Sequence, residues 1–278
     1  MSSTIRFTKM HGLGNDFVVI DAINQHVSLT SDQIRYIADR HFGIGCDQVL
    51  LIEAADDPEV DFIYRIFNAD GGEVGQCGNG ARCFARYVYD NGLTQKRDIR
   101  VKTASGLIIP SIADNHQVTV NMGMPHFAPA DIPIASTQQK TLYELAINNT
   151  TVQFGAVSMG NPHAVITVDN IDAAPVEQLG PLLENHVFFP ERANIGFMQI
   201  LDRQHIRLRV FERGAGETLA CGTGACAAMV VARQQNLIDS EATITLPGGD
   251  LSINWQGNDA PVMMTGPANY VYEGKITL

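Results

Sequence analysis

The chain repeats one short segment after about half of its length. The first copy reads Cys77-Gly-Asn-Gly-Ala81 and the second reads Cys221-Gly-Thr-Gly-Ala225. The two cysteines lie 144 positions apart (221 − 77) in a chain of 278 residues, and Phe67 matches Phe211 at the same offset. Such a period indicates duplication of a whole domain, because the units of solenoid proteins are only about 20–50 residues long.

Both copies predict the same local structure. An alternating apolar strand leads into a Gly-rich turn, then the cysteine, then a helix of small residues that we expect over residues 81–90 and 225–235. Each cysteine therefore lies at or just before a helix N-terminus, where unpaired backbone N–H groups and the positive end of the helix dipole point. Such a position binds anions and is expected to lower the pKa of a thiol. The neighbouring glycines let a ligand approach the backbone closely.

Composition excludes several kinds of partner. The chain is 45% hydrophobic, which is typical of a soluble globular protein with one large or two ordinary domains. Its formal net charge is −11 and it has no basic run, so we expect neither nucleic acid nor a membrane surface as a partner. No apolar stretch approaches the ~20 residues of a membrane span, and the N-terminus lacks the apolar core of a secretory signal. The odd count of five cysteines fits a reducing cytoplasm better than a secreted disulfide scaffold.

The repeat and the turn residues also predict the domain boundaries. Prolines, glycines and alanines between positions 123 and 139 indicate a crossing between domains. We expect an N-terminal domain over 1–121, a C-terminal domain over 122–266, and a strand-like tail over 267–278 that returns to the first domain. No long helix separates the strands that follow the first cysteine helix, so mostly antiparallel pairing is expected in a mixed α/β (α+β) fold.

The two repeated cysteines are interpreted as a functional pair. The plainer interpretation is that each is a small buried hydrophobe, but both occupy equivalent positions and both precede Gly-x-Gly. A zinc site is disfavoured because the spacings Cys77-x5-Cys83 and Cys221-x4-Cys226 do not match the usual ligand pairs, so no metal is expected. Cys46, Cys83 and Cys226 are interpreted as structural.

Two thiols in two facing, duplicated domains favour chemistry on both sides of one carbon. A racemase or epimerase needs one base to remove a proton from one face and a second acid to return a proton to the other. The α-proton of an amino acid is weakly acidic, and N–H groups around Gly78-Asn79 and Gly222-Thr223 could stabilise the developing charge. No lysine lies in a setting that suggests a pyridoxal Schiff base, and no nucleotide-binding glycine pattern is present. We therefore expect a cofactor-independent reaction.

Longer blocks of the sequence carry a family resemblance. The run Asn68-Ala-Asp-Gly-Gly-Glu-Val-Gly-Gln-Cys-Gly-Asn-Gly-Ala-Arg82 resembles the signature of the diaminopimelate epimerases. Gly160-Asn-Pro-His163, Glu212-Arg-Gly214 and Ala220-Cys-Gly-Thr-Gly224 resemble other blocks of that family, and the resemblance covers essentially the whole chain. It implies two pseudo-symmetric α/β domains, each a curled sheet around a central helix, with the site in the cleft. It also implies interconversion of LL- and meso-diaminopimelate, on the path to lysine and the bacterial cell wall.

The resemblance further implies roles for individual residues. Cys77 and Cys221 would be the acid/base pair, His163 and Glu212 would adjust the thiol pKa values, and Tyr272 would lie at a homodimer contact. The residues implied to bind the zwitterionic amino-acid substrate are Asn15, Gln48, Asn68, Gly78, Asn79, Asn161, Asn194, Glu212, Arg213, Gly222 and Thr223.

The chemistry of these residues agrees with the resemblance. Arg213 can bind a carboxylate through two N–H groups, and uncharged Asn and Gln side chains can bind ammonium and carboxylate groups without adding charge. The residues alone leave plainer interpretations open. Asn15 and Asn161 follow glycines and suit turns, while Gln48, Asn194 and Asn68 suit the ends or edges of strands. His163 alone could be a core histidine, and Glu212-Arg213 could be a surface ion pair.

Three other functions remain open from the sequence. A racemase of another amino acid, such as proline, would have no use for Arg213 and the asparagines, because proline lacks a distal charged end. A thiol redox or disulfide-switch protein would use Cys77 and Cys221 as a reversible pair, although no Cys-x-x-Cys is present. A non-catalytic binder of a zwitterion would tolerate loss of either thiol.

Overall fold

Two compact units make up the chain. The structure, a computed structural model, describes residues 4–75, 77–148 and 150–278. The first unit runs to Val120 and resumes at Gly266, and the second comprises Asn121–Thr265. These bounds differ by one residue from those expected from the repeat.

The first half of the chain contains short strands and two helices. In chain order these are β1 (Thr4–Gly12), β2 (Asn15–Asp21), α1 (Ser31–Ala38), β3 (Gln48–Ala54), β4 (Phe62–Asn68), β5 (Glu73–Val74), α2 (Gly78–Asp90), β6 (Val101–Thr103), β7 (Gly106–Ile108), β8 (Ser111–Ile112) and β9 (Val118–Asn121).

The second half repeats this order, with one turn of 3₁₀ helix at Ile171–Ala173. Its elements are β10 (Tyr143–Ile147), β11 (Thr150–Ser158), β12 (Pro162–Thr167), α3 (Val176–Glu184), β13 (Asn194–Asp202), β14 (His205–Glu212), β15 (Gly216–Thr218), α4 (Gly222–Gln234), β16 (Glu241–Leu246), β17 (Gly249–Asn254), β18 (Met263–Gly266) and β19 (Asn269–Thr277). The sequence Asn148-Asn149 predicts a hairpin turn between two strands, and this turn lies partly outside the described residues because Asn149 is not among them.

Strand pairing follows the same sequence in both units. In the first unit β1 pairs antiparallel with β2, β2 parallel with β3, β3 antiparallel with β4, β4 parallel with β6, and β6 antiparallel with β7. In the second unit β11, β12, β13, β14, β16 and β17 follow in that order with the same alternation. The predicted duplication and mostly antiparallel sheets are therefore confirmed, with parallel pairs where a helix connects the strands.

The outer strands of the two units come from different parts of the chain. In the second unit β10, which precedes β11, forms the outer antiparallel neighbour of β11. In the first unit the equivalent place beside β1 is taken by β19, the last strand of the chain, from Thr4↔Thr277 to His11↔Asn269. The C-terminal segment thus completes the sheet that the N-terminal strand begins.

One helix lies at the centre of each unit. Helices α2 and α4 start and end at matching positions, since Gly78 and Asp90 fall on Gly222 and Gln234 at the offset of 144. Helix α4 packs against β11 to β14, β16 and β17, and its residues from Gly224 to Ala232 are all buried. Helix α2 packs against β1, β2, β3 and β8. A helix enclosed by a sheet needs apolar and small side chains on most of its faces, and these sequences supply them.

Both central helices begin three residues earlier than predicted, at the glycine after each cysteine. Glycine has a low helix propensity, which is why the sequence pattern placed the first helical residue later. Within the part of the chain that the structure describes, none of the helices combines the length and apolar character needed to span a membrane.

Candidate active site

Each repeated cysteine is the residue immediately before a central helix. Cys77 precedes α2 with φ −142° and ψ 124°, and Cys221 precedes α4 with φ −116° and ψ 104°. The carbonyl oxygen of each accepts the first helical hydrogen bond, from Ala81 N at 2.8 Å and from Ala225 N at 2.9 Å. The predicted placement at a helix N-terminus is therefore found in both copies.

The second glycine of each cysteine segment packs against the sheet. A Cβ atom on Gly80 would lie 2.4 Å from the hydroxyl oxygen of Tyr64, and one on Gly224 would lie 3.0 Å from Cγ2 of Val210. The sequence suggested that these glycines open the backbone to a ligand. At the second position they instead allow the helix to approach β4 or β14 closely, and this close packing fixes where the helix N-terminus lies.

The predicted polar residues of each unit lie at the ends of three strands or at the start of the central helix. In the first unit β2 and β3 begin, and β4 ends, at one edge of the sheet. In the second unit β12, β13 and β14 form the corresponding edge. The first cluster comprises Asn15, Gln48, Asn68, Cys77, Gly78 and Asn79. The second cluster comprises Asn161, His163, Asn194, Glu212, Arg213, Cys221, Gly222 and Thr223.

In the first cluster the amide of Asn15 faces the thiol. The sulfur of Cys77 lies 3.7 Å from Oδ1 of Asn15, which also accepts a hydrogen bond from Nδ2 of Asn79 at 3.1 Å. Asn15 starts β2 directly after a turn in which Leu13 and Gly14 have φ of 58° and 90°. Gly14 adopts its φ at little cost because it has no Cβ, and the turn carries Asn15 to the edge where the thiol lies.

Two amide oxygens of the first cluster are buried and have no hydrogen-bond partner among the described residues. Gln48 and Asn68 face each other across β3 and β4, and Nε2 of Gln48 donates to Oδ1 of Asn68 at 2.8 Å. Among the described residues, neither Oε1 of Gln48 nor Oδ1 of Asn79 receives a hydrogen bond. Because buried acceptors are normally satisfied, these two oxygens suit a ligand that donates hydrogen bonds, such as an ammonium group.

A chain of hydrogen bonds in the second cluster ends at the second thiol. Nε2 of His163 donates to Oδ1 of Asn161 at 3.0 Å, and Nδ2 of Asn161 donates to Oγ1 of Thr223 at 3.3 Å. Oγ1 of Thr223 lies 3.7 Å from the sulfur of Cys221. Burial, and to a lesser degree the positive charge of Arg213, lowers the pKa of His163 to about 3. The ring is therefore neutral near pH 7.

The thiol of Cys221 does not follow the prediction of a lowered pKa. Burial raises the pKa of Cys221 well above its usual value, and the nearby carboxylate of Glu212 raises it further, against a smaller opposing effect of the Thr223 hydroxyl. Cys221 is only 4% exposed. Loss of hydration disfavours the thiolate more than the helix terminus favours it, so the fold favours the thiol form of Cys221.

Asn194 supports the backbone next to Glu212. It is 3% exposed, its Nδ2 donates to the carbonyl oxygen of Pro162 at 3.0 Å, and its Oδ1 accepts from the backbone N–H of Arg213 at 3.0 Å. Nη1 of Arg213 donates to the carbonyl oxygen of Glu191 at 3.0 Å. Within the described residues no ion pair joins Arg213 to Glu212, whose carboxylate accepts from Oγ1 of Thr218. The interpretation of this pair as a surface ion pair is therefore wrong.

Two carboxylates next to these clusters were not found from the sequence. Oδ2 of Asp47 accepts from Nδ2 of Asn15 at 2.8 Å. Glu184 is buried, and its Oε1 accepts from the backbone N–H of Gly214 at 2.8 Å, in the turn after Arg213. A carboxylate on the buried face of α3 was the available signal for Glu184. Asp47 directly precedes Gln48, but its partner lies 32 residues away in the sequence.

Tyr272 belongs to neither cluster. It lies on β19 opposite Lys9, and its ring meets the ring of Phe7 edge-on with centroids 5.9 Å apart. Over residues 4–75, 77–148 and 150–278, no three His, Cys, Asp or Glu side chains converge as a metal site would require.

Comparison with known proteins shows the family. The family model described as diaminopimelate epimerase matches residues 7–128 and 155–271, which include both clusters. The chain belongs to the diaminopimelate epimerase family. It is 57% identical to the diaminopimelate epimerase of Nitrosospira multiformis and 60% identical to that of Nitrosomonas europaea, each over 274 residues and 99% of both chains. As a member of this family the protein is an isomerase.

Solved structures of more distant proteins share the fold. A PhzF-family phenazine biosynthesis protein of Bacillus anthracis matches with a TM-score of 0.70 and 16% identity over 99% of both chains. A hydroxyproline epimerase of Agrobacterium vitis matches with a TM-score of 0.69 and 16% identity, over 99% of this chain and 93% of that one. At this identity the likeness concerns the fold alone, and it confirms the predicted fold class.

Proposed function

We propose that the protein interconverts LL- and meso-diaminopimelate without a cofactor, with Cys77 and Cys221 as the acid/base pair. The observation that supports this most is the equivalence of the two cysteines: in a diaminopimelate epimerase family chain, each precedes the central helix of its unit beside a set of polar residues. The product serves lysine and cell-wall synthesis, and a reducing cytoplasm would keep both thiols reduced.

The proposed reaction balances with the two thiols alone. One cysteine, as the thiolate, removes the α-proton from one face of the substrate carbon. The electron pair of the C–H bond passes into the neighbouring carboxylate, and N–H groups at the starts of α2 and α4 stabilise that charge. The other cysteine, as the thiol, donates its proton to the opposite face. The two sulfurs end with exchanged protonation states, so the reverse reaction uses them in exchanged roles.

The surroundings of Cys221 suit the step in which it acts as the acid. Burial and the carboxylate of Glu212 raise the pKa of Cys221 and so favour the thiol form that donates in that step. His163 has a pKa of about 3 and remains neutral, so it affects Cys221 through Asn161 and Thr223 rather than as a charge. In this proposal Glu212 and His163 set the proton affinity of Cys221.

Substrate binding is assigned to the polar atoms that the fold leaves available. Diaminopimelate has two ammonium and two carboxylate groups. Oε1 of Gln48 and Oδ1 of Asn79 are buried acceptors suited to an ammonium group, and the guanidinium of Arg213 suits a carboxylate. The proposed binding set is completed by Asn15, Asn68, Gly78, Asn161, Asn194, Glu212, Gly222 and Thr223.

Exchange of the α-proton in heavy water tests this function. LL- and meso-diaminopimelate are each incubated with the protein, and deuterium at Cα is read by mass spectrometry. We expect exchange and epimerisation by the native protein and loss of turnover in both Cys77→Ala and Cys221→Ala. Cys83→Ala serves as the matched control, because this thiol lies in α2 but is fully buried among core residues.

The outcomes separate the alternatives. Exchange at Cα of proline but not of diaminopimelate would replace the proposal with a racemase of the same fold. Turnover that survives both cysteine substitutions would remove the two-thiol mechanism, and binding without exchange would indicate a zwitterion binder. A thiol redox switch is disfavoured, because a reactive redox cysteine is exposed and has a low pKa, whereas Cys221 is buried with a raised pKa.

We further propose that the protein forms a homodimer through β19. Among the described residues this strand is the outermost of its sheet, with β1 on its inner side. Tyr270, Val271 and Tyr272 are 38%, 54% and 47% exposed on it. An outer strand with exposed apolar side chains is a natural site for pairing with another chain.

Light scattering after size-exclusion chromatography tests this dimer. We expect a dimer for the native protein and a monomer for Tyr272→Glu. A native protein that is monomeric would contradict the proposal.

A further inference from the structure

We propose that Asp47 is a positioning residue that fixes which end of the Asn15 amide faces Cys77. Oδ2 of Asp47 accepts a hydrogen bond from Nδ2 of Asn15 at 2.8 Å. On the other side of the same amide, Oδ1 of Asn15 lies 3.7 Å from the sulfur of Cys77 and accepts from Asn79. Asn15 thus lies between Asp47 and the thiol, and Asp47 contacts the thiol only through Asn15.

The chemistry of a carboxylate makes this orientation one-sided. An ionised carboxylate only accepts hydrogen bonds, and an amide has a donor end and an acceptor end. If the amide of Asn15 were reversed, its oxygen would face the carboxylate of Asp47, and neither of these two groups could donate. This contact would be unfavourable whichever way the amide of Asn79 is turned, so Asp47 keeps Oδ1 of Asn15 towards the sulfur.

The carboxylate of Asp47 is itself held by several groups. Its Oδ2 accepts from the backbone N–H of Asp16 at 3.1 Å, and the backbone N–H of Asp47 donates to Oδ1 of Asp16 at 2.9 Å. Nη2 of Arg40 donates to Oδ1 of Asp47 at 2.7 Å and to Oδ1 of Asp16 at 2.8 Å. Nζ of Lys9, which is 7% exposed, donates to Oδ2 of Asp16 at 2.6 Å and to the carbonyl oxygen of Gly45.

The charges around Asp47 balance in number. Two carboxylates, Asp16 and Asp47, face two cations, Lys9 and Arg40. Burial alone would raise the pKa of Asp16, but hydrogen bonds from Arg40 and Lys9 outweigh it and hold that pKa far below its usual range. The neighbouring thiol of Cys46 stays neutral, because burial raises its pKa to about 12. The network therefore gives Asp47 a fixed position from which to orient Asn15.

The orientation affects the proton affinity of Cys77. An amide oxygen beside a sulfur accepts from S–H and so favours the thiol, whereas an NH₂ group would donate to the thiolate and favour it. By keeping Oδ1 towards the sulfur, Asp47 favours the thiol form of Cys77. That this matters for catalysis rests on the proposed function, but the effect on the thiol itself does not.

The experiment compares two substitutions that remove the same charge. Asp47→Asn keeps the shape and an acceptor oxygen for Nδ2 of Asn15, whereas Asp47→Leu keeps the approximate shape but removes every acceptor. The rate of iodoacetamide alkylation at Cys77 is measured without substrate, peptide by peptide, between about pH 6 and pH 10. Cys221 of the same molecules is the internal reference. Asp61→Leu is the matched control, because Asp61 is paired with Lys96 at 2.6 Å and accepts from the N–H of Arg100 in the same unit.

We expect alkylation of Cys77 at pH 7 to rise about tenfold in Asp47→Leu, equivalent to a pKa about one unit lower. Asp47→Asn should change the rate by less than about twofold, and in an Asn15→Ala background Asp47→Leu should have no further effect. Equal changes in Asp47→Asn and Asp47→Leu would show that only the charge matters and would overturn the proposal, as would an effect that persists without Asn15. If Asp47→Leu is not folded by circular dichroism, Asp47→Ala takes its place.

The result is independent of the proposed reaction. If the thiol responds as expected but diaminopimelate acquires no deuterium, the role of Asp47 stands and the proposed function fails. If deuterium is exchanged and Cys77 does not respond to Asp47→Leu, only the role of Asp47 fails.

Discussion

Nε2 of His163 lies 3.0 Å from Oδ1 of Asn161, and this contact sets the direction of a hydrogen-bond chain. Oδ1 of an amide only accepts, so Nε2 carries the hydrogen in the neutral ring. The same amide donates its Nδ2 hydrogen to Oγ1 of Thr223. Because Oγ1 accepts there, the hydroxyl hydrogen of Thr223 is available for the sulfur of Cys221, 3.7 Å away.

Substitution of Thr223 tests this chain. Thr223→Val keeps the shape but removes the hydroxyl, and Thr223→Ser keeps the hydroxyl. Because the hydroxyl opposes the rise in the pKa of Cys221, we expect Thr223→Val to slow alkylation of Cys221. Loss of a hydrogen bond to the thiolate, worth about 1–1.5 kcal/mol, should lower kcat for α-proton exchange about tenfold. Thr223→Ser should retain most of both rates; if it behaves as Thr223→Val does, the methyl group rather than the hydroxyl is responsible.

His163 predicts a specific loss of stability in mild acid. Its pKa is lowered from 6.5 to about 3 in the folded chain, so between these values the unfolded chain binds a proton that the folded chain does not. The contribution of neutral His163 to stability is therefore complete above the pKa of this group in the unfolded chain, and it is lost as the pH falls below that value. Between pH 7 and pH 5 this one group should lower the free energy of unfolding by about 2 kcal/mol.

Urea denaturation at the two pH values measures this effect. His163→Gln should be less stable at pH 7 but should lose about 2 kcal/mol less than the native protein on going to pH 5. Val165→Ala, at a buried position of the same strand, controls for lower stability alone and should keep the native pH dependence. Equal pH dependence in His163→Gln and the native protein would mean that His163 is not neutral in the fold.

The carboxylate of Glu212 predicts how the second thiol responds to charge removal. Glu212 raises the pKa of Cys221. Glu212→Gln should therefore lower that pKa by about half a unit or more, and alkylation of Cys221 at neutral pH should become several-fold faster. Glu217→Gln is the matched control, because this carboxylate lies on the same hairpin but pairs with Arg209. A slower or unchanged reaction of Cys221 in Glu212→Gln would contradict this electrostatic effect.

Local and long-range features differ in how far the sequence predicts them. The position of Cys77 and Cys221 before α2 and α4 was predicted, because strand, turn and helix follow one another within a few residues. The pKa of Cys221 was predicted in the wrong direction, because it depends on burial and on Glu212, which the helix pattern does not include.

The supporting carboxylates were missed for a related reason. Asp47 and Glu184 contact residues 32 and 30 positions away in the sequence, across neighbouring strands or from a helix to a turn. Such contacts depend on strand register, and the alternation of apolar residues does not specify which polar side chains meet at a strand end.

The close approach of Gly80 to Tyr64 predicts that a side chain at position 80 lowers stability only while the Tyr64 hydroxyl is present. A Cβ on Gly80 would lie 2.4 Å from the hydroxyl oxygen of Tyr64, and that hydroxyl is buried without a hydrogen-bond partner among the described residues. Gly80→Ala should therefore cost about 1–3 kcal/mol of unfolding free energy, although alanine is the better helix former. Tyr64→Phe removes the clashing oxygen and an unsatisfied polar group, so alone it should be nearly neutral.

The double variant separates this clash from other causes. If the hydroxyl is the obstacle, Tyr64→Phe should restore most of the stability that Gly80→Ala loses, because the higher helix propensity of alanine is then gained without the contact. Gly92→Ala is the contrasting control: nothing lies within 4 Å of its Cβ position, but its φ of 69° penalises any side chain, and Tyr64→Phe should not rescue it. Equal destabilisation by Gly80→Ala with and without the Tyr64 hydroxyl would place the obstacle instead at Ile66, whose Cδ1 lies 3.3 Å from the same position.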